Sequence, residues 1–233
     1  MTRPLAGGTA VVTGASRGIG RAIALRIAEA GAEVALWARD EAQLAQVAHE
    51  IAAAGGAARA FRVDVTDSAA VARAAELVRA AMPPVHTVIN NAGAVLRKPT
   101  ADITDGEWRR VLAVNLDGAF FVTRAFLGDL QRGGGRVVNI ASRAGREGTA
   151  LLAAYCAAKH GIVGLTRALA EELRAGKVSV NAICPGSVDT PMLREGLPDA
   201  RPDMTPDDIA RTAVWIAHGA PQALTGACID VYG

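Results

Sequence analysis

Short apolar runs alternate along the chain with longer stretches in which apolar positions recur every three or four residues. GTAVVT (8–13), EVALWA (33–38), ARAFRV (58–63), HTVIN (86–90), RVVNIA (136–141), SVNAIC (179–184) and ACIDV (227–231) read as strands. Helical periodicity covers about 19–30, 41–54, 67–81, 104–130, 152–174 and 205–218. The punctuation agrees with this division. Gly55-Gly56 and Gly133-Gly134-Gly135 stop helices, and Pro83-Pro84 breaks the chain before a strand. Thr104-Asp105-Gly106-Glu107 fits a capping box, and Thr205-Pro206 puts proline at a first helical position. The segment from about Thr190 to Met204 is the least regular and reads as a mobile loop.

Strands alternating with helices argue for βαβ units and a parallel sheet covered on both faces. AVV, VALW, TVIN and RVVNI are nearly continuous apolar runs, as strands buried on both faces require. No linker or fixed-period repeat divides the 233 residues, which reads as one α/β domain over 1–233 with a substrate loop at about 190–204.

Composition narrows the function classes. Hydrophobic residues make up 51% and charged residues 21%, a globular balance. A net charge of +2 gives no argument for nucleic acid or for an anionic membrane surface. No apolar run approaches the roughly 20 residues that cross a bilayer, and MTRPLAGG carries no apolar signal region. Cys156, Cys184 and Cys228 form no CxxC pair, and His49, His86, His160 and His218 have no ligand spacing. The expectation is a cytoplasmic protein with reduced thiols and no metal site.

Two stretches carry candidate chemistry. TGASRGIG (13–20) places Gly14, Gly18 and Gly20 between the first strand and its helix. Glycines there allow a tight turn and let a ligand approach the backbone, and the following helix N-terminus suits a pyrophosphate. The spacing is neither G-x-G-x-x-G nor a P-loop, and a plain tight turn is the competing reading. The second strand ends at Trp37-Ala38, with no carboxylate at 38 and with Arg39 next. Arg39, with Arg17 from the glycine loop, is placed to pair with a 2′-phosphate. Asp40 could instead hold a 2′-hydroxyl. This favours NADP(H), with NAD(H) as the other reading.

YCAAK (155–159) sets Tyr155 and Lys159 one helical turn apart. A cation beside a phenol is expected to lower the tyrosine pKa and fit it for acid–base work. Ser142 ends the RVVNIAS strand at the carboxyl edge of the sheet, where ligands bind in open α/β folds.

TGASRGIG, NNAG (90–93), Asn115 in VLAVNLDGAF, Ser142, Tyr155-x-x-x-Lys159 and Pro185-Gly186 stand in the order and rough spacing of the short-chain dehydrogenases/reductases. The chain resembles that family over essentially its whole length, and within it the 3-oxoacyl-carrier-protein reductases. The resemblance implies a single Rossmann-type doubly wound fold with a central seven-stranded parallel sheet. It also implies a nicotinamide dinucleotide and no metal. Thr13, Gly14, Ser16, Arg17, Gly18, Ile19 and Gly20 match the phosphate loop. Asp64 matches the residue at the adenine amino group, with Val65 beside it. Asn91, Ala92 and Gly93 match the segment under the adenosine ribose. Asn115 matches the anchor of a proton-relay water, Ser142 the substrate-orienting hydroxyl and Tyr155 the general acid/base. Lys159 matches the lysine at the nicotinamide ribose, and Pro185, Gly186, Val188 and Thr190 the segment at the carboxamide.

The resemblance implies hydride exchange between nicotinamide and a ketone or secondary alcohol, most directly a 3-oxoacyl thioester or related carbonyl. A small secondary-alcohol or polyol dehydrogenase is the alternative, and an NADP(H)-sensing binding protein the non-enzyme one. A carrier-protein-bound acyl chain could dock on Arg124, Arg132, Arg167 or Arg174. Arg143, Arg146 and Arg194 lie near the expected pocket mouth, where they either favour a small anionic keto substrate or are solvated. Relatives are homo-oligomers, tetramers or dimers, and helices 104–130 and 152–174 would form the interface.

Overall fold

A computed structural model describes residues 3–233. Seven parallel strands form one sheet in the order β3-β2-β1-β4-β5-β6-β7. They are β1 (Thr9–Thr13), β2 (Glu33–Ala38), β3 (Ala57–Arg62), β4 (Val85–Asn90), β5 (Arg136–Ile140), β6 (Ser179–Pro185) and β7 (Cys228–Val231). Each lies within a residue or so of its expected place. The central strands β1, β5 and β6 are buried along almost their whole length, which is why their sequences do not alternate. β3 is an edge strand and mostly exposed, which accounts for its arginines.

Helices cover both faces. α1 (Gly18–Glu29), α2 (Glu41–Ala53) and α8 (Pro206–Val214) share one core, in which Ile23 and Ile27 meet Leu44, Ile51 and Ile209 beneath β1 and β2. α3 (Ser68–Ala81), α5 (Gly118–Gly133) and the end of α6 (Ala153–Glu172) share the other, where Val71 and Val78 join Val122, Phe126 and Leu130. Burial of these side chains, worth ~1.5–3 kcal/mol each, fixes the helices on the sheet.

Three features depart from the sequence reading. The stretch expected as one helix over 104–130 is two, α4 (Asp105–Leu112) and α5, joined through a π-helical turn at Ala113–Asp117. The expected capping box at Thr104 and Glu107 is present. Second, this run, Asp105–Gly133, is long and apolar enough by length and composition to cross a membrane, contrary to the expectation that no run was. In this fold it lies on the sheet, with Val122, Phe126 and Leu130 in the core. Third, the stretch after Thr190 is not wholly irregular. Thr190 caps a short helix, α7 (Pro191–Gly196), and Met204 bridges back to Val188.

The strand order reverses between β1 and β4. That switch point opens a crevice at the carboxyl ends of the strands. Buried side chains hold its two sides together. The Thr13 hydroxyl accepts from the amides of Asn91 (2.9 Å) and Ala92 (3.0 Å), and Asn91 Nδ2 donates to the Thr13 carbonyl. Deeper in the sheet, Asn90 donates to Asn139 (2.8 Å) and to Thr123, and Asn139 donates to Thr166 (2.9 Å). This polar chain runs from α5 through β4 and β5 to α6, and it pins the two helices to the sheet.

Candidate active site

A cleft of about 640 Å³ occupies the switch point. It is lined by Gly14, Ser16, Arg17, Gly18, Ile19, Arg39, Asp64, Val65, Asn91, Ala92 and Gly93 along one part. Ser142, Tyr155, Lys159, Pro185, Gly186, Val188 and Thr190 line the rest. Of the residues matched to the family's site, Thr13, Gly20 and Asn115 are not on the wall. Gly20 lies beneath it, where a Cβ would overlap the Gly14 carbonyl oxygen. Asn115 is buried behind Gly93.

The glycine loop is shaped for a ligand to touch backbone. Gly14 has φ +64°, and a Cβ there would come within 2.9 Å of Ala92 Cα. Arg17 is the N-cap of α1 but makes no side-chain cap bond, so the first amides of the helix keep their N–H groups for another acceptor. The residues present therefore fit a dinucleotide pyrophosphate.

At the far end, Arg17 and Arg39 are exposed, and neither has a carboxylate within 4.0 Å among the described residues. Asp40 is committed elsewhere: its carboxylate caps α2 by accepting from the Gln43 amide (3.0 Å) and from Gln43 Nε2 (2.7 Å). Burial alone would raise the Asp64 carboxyl, but hydrogen bonds from Thr66 and the charges of Arg39 and Arg110 bring it below its ordinary value. Arg110, on α4, lines this end and had no signal in the sequence.

The residues expected to take part in the chemistry come from three elements. Ser142 follows β5 and caps the short 3₁₀ turn Arg143–Gly145, its hydroxyl accepting from the Ala144 amide at 3.1 Å. Tyr155 and Lys159 rise from the first turns of α6. Lys159 is buried, and its Nζ donates to the Ile140 carbonyl at 2.8 Å. Asn115 sits in the π-helical turn, where Nδ2 donates to the carbonyls of Ala94 (2.7 Å) and Val111 (2.8 Å). Its Oδ1 is buried and has no protein partner.

The electrostatics correct one expectation. Burial pushes the Tyr155 phenol up to about 12, against a smaller lowering by the neighbouring Ser142 hydroxyl. Burial also draws the Lys159 ammonium down to about 8. The desolvation of both groups outweighs the lowering expected from a cation one turn away.

The matching family model, described as short chain dehydrogenase, covers residues 8–200. The chain belongs to the short-chain dehydrogenase family. It is thus an oxidoreductase of CH–OH and C=O groups. A Streptomyces violaceoruber protein, provisionally named a ketoacyl reductase of the granaticin polyketide synthase, is 44% identical over 191 residues, 78% of this chain and 68% of its own. A Beutenbergia cavernae structure, provisionally named an NAD(P)-dependent gluconate 5-dehydrogenase and holding NADP at low occupancy, is 40% identical. Its TM-score is 0.91, over 99% of this chain and 97% of its own. The 3-oxoacyl-[acyl-carrier protein] reductase of Brucella melitensis is 31% identical with a TM-score of 0.91, over 100% of this chain and 92% of its own. Within this short-chain dehydrogenase, the three arginines expected at the pocket mouth separate. Arg143 lines the cleft, whereas Arg146 pairs with Asp230 and Arg194 with Asp189.

Proposed function

We propose that the protein is an NADP(H)-dependent carbonyl reductase acting on 3-oxoacyl thioesters. The observation that carries the substrate class is the wall of the cleft beyond Tyr155. Val95, Leu152, Met192, Leu193 and Leu197 give it an aliphatic stretch, beside the polar Arg143, Glu147, Thr149 and Ser187. An acyl chain buries against that stretch at ~25 cal/mol per Å² of apolar surface, a gain that a polyol does not share. The names of the Streptomyces and Brucella relatives support the same class. The name of the Beutenbergia relative favours the second reading, a sugar-acid or polyol dehydrogenase.

The preference for NADP(H) rests on Arg17 and Arg39, neither of which has a carboxylate within 4.0 Å among the described residues, and on the commitment of Asp40 to the α2 cap. When bound, the nicotinamide supplies the hydride for reduction or takes it in oxidation. Gly14, Ser16, Gly18 and Ile19 would hold the pyrophosphate. Asp64 and Val65 would hold the adenine, and Asn91, Ala92 and Gly93 the ribose beside it. Pro185, Gly186, Val188 and Thr190 would hold the carboxamide.

The chain's own residues handle the proton. The Ser142 and Tyr155 hydroxyls converge on the substrate oxygen, which Ser142 orients. A protonated Tyr155 gives its proton to that oxygen as the carbonyl becomes an alcohol, and takes one back in the reverse direction. Lys159, anchored on Ile140, keeps a cation beside the phenol as it loses the proton. Asn115 Oδ1, buried with no protein partner, is placed to hold a water that returns a proton from solvent. In the same reading, α7 and the rest of 190–204 border the substrate, and the protein works in the cytoplasm as a homotetramer. Arg124, stacked on Phe120 and Phe121, and Arg167 offer guanidinium groups to an acidic carrier protein, while Arg132 and Arg174 are paired with Asp129 and Glu171. The test is NADPH oxidation with acetoacetyl-coenzyme A against gluconate-type keto acids and sugar alcohols. Turnover of sugar acids or polyols alone would replace this substrate class with the second reading.

A further inference from the structure

The aliphatic part of the cleft holds one feature that acyl recognition leaves unused. Arg143 is next in the chain to Ser142 and lines the cleft with Tyr155. Its guanidinium carries five N–H donors. Nε–H makes a single long contact with Glu147 Oε2, at 3.4 Å, between two side chains that are each more than half exposed. Such a pair is weak. The guanidinium lies over the Tyr232 ring at 5.5 Å. The two terminal nitrogens make no hydrogen bond among the described residues.

The platform beneath it is fixed. Arg146 grips Asp230 through Nε (2.9 Å) and Nη2 (3.4 Å), and Nη2 also donates to the Cys228 carbonyl at 2.7 Å. Asp230 in turn lies near enough to the Tyr232 hydroxyl for each to shift the other's pKa, Asp230 down and Tyr232 up. The Gly186 amide donates to the Val231 carbonyl at 2.8 Å. Arg146, Asp230 and Tyr232 thus tie the end of β7 to the turn that carries Ser142. The face of Arg143 rests on this assembly, and its terminal N–H edge is left for a ligand. A guanidinium held in place by neighbours loses less freedom on binding than a free one.

We propose that Arg143 binds an anionic oxygen group on the substrate, a carboxylate or a phosphate, and so selects charged carbonyl substrates over neutral ones. The proposal rests on the reading of Ser142 and Tyr155 as the groups at the substrate carbonyl. The geometry matches the chemistry: carboxylate and phosphate both accept two parallel N–H bonds from one guanidinium edge. Glu147 opposes the anion by its own charge, so it weakens binding. The anion could be the free carboxylate of an oxo acid or the phosphate of a pantetheine-type arm, and the two make the same contact.

The test is binding to the enzyme saturated with NADP⁺, by calorimetry, in wild type, Arg143→Gln and Glu147→Gln. The probes are 3-hydroxybutyrate against its ethyl ester, and 3-hydroxybutyryl-phosphopantetheine against the same thioester without phosphate. At least one charged probe is expected to bind tighter than its neutral partner. Arg143→Gln is expected to weaken that probe by about tenfold or more and leave the neutral one unchanged. Glu147→Gln is expected to tighten the charged probe. An effect confined to the acid pair identifies an oxo acid, and one confined to the phosphate pair identifies a carrier arm. Equal losses for charged and neutral probes, or none, would overturn the proposal. Turnover of the corresponding oxo compounds, measured separately, tests the carbonyl-reductase reading itself, so the two failures are distinct.

Discussion

The Lys159 ammonium stands 5.6 Å from the centre of the Tyr155 ring, tethered by its hydrogen bond to the Ile140 carbonyl. The pair joins the first turns of α6 to the last residue of β5, and both groups are held where burial favours their neutral forms. Any ligand that supplies hydrogen-bond acceptors to Lys159 works against that tendency and favours the cation.

This pairing makes stability depend on pH in a defined direction. Lys159 titrates at about 8 in the folded protein and near 10.5 when unfolded. Between those values the unfolded chain holds the extra proton, so stability rises with pH across the window and is lost as pH falls through about 8. Tyr155 acts oppositely, with stability lost between 10 and about 12. In cofactor-free protein, denaturant unfolding of Lys159→Met should lack the rise between 8 and 10.5 that wild type shows. Parallel pH profiles would contradict the assignment.

Tyr155→Phe removes the proton donor while keeping the ring. Turnover is expected to fall by about 10²–10⁴-fold, with dinucleotide binding retained in a fluorescence titration. Ser142→Ala should cost less, because it removes the orienting group and leaves the acid in place. A Tyr155→Phe enzyme with near-normal kcat would remove Tyr155 from the chemistry.

Cofactor choice is expected to reside in Arg39 and Arg17. Arg39→Ala should weaken NADPH by about 10–100-fold, the worth of a charge-assisted contact, and leave NADH nearly unchanged. Equal affinity of wild type for both dinucleotides would show that the two guanidinium groups do not read the 2′-phosphate.

Two glycine substitutions separate packing from propensity. Gly20→Ala places a methyl group against the Gly14 carbonyl and should destabilise by about 1–3 kcal/mol, with loss of dinucleotide binding. Gly164, on an exposed position of α6, has no atom within 4 Å of an added Cβ. Gly164→Ala should stabilise by about 0.5–1 kcal/mol. Thermal melting of the two variants tests both.

Most of the sheet was legible because its signals are local. The buried strands read as unbroken apolar runs, and Thr104, Gly134 and Pro206 mark helix ends by their own chemistry. The π-helical turn around Asn115 was not legible. It arises where the side chain bonds Ala94 and Val111 at once, a contact made only when β4 and α4 are brought together. Thr190-Pro191 carried the same cap-and-proline signal as Thr205-Pro206, but the prolines and charges after it hid a short helix. The proximity of Tyr155 and Lys159 was visible as a spacing of four residues. Its protonation was not, because burial is a property of the whole fold. The separation of Arg143 from Arg146 and Arg194 likewise depends on partners far along the chain, chiefly Asp230 and Tyr232.

The most direct measurement is cofactor oxidation followed by absorbance, with NADPH and NADH in parallel and acetoacetyl-coenzyme A as substrate. The account expects turnover with NADPH, a clear preference for it over NADH, and loss of turnover in Tyr155→Phe. Bound NADPH with no turnover of the thioester, or turnover that survives in Tyr155→Phe, would contradict it.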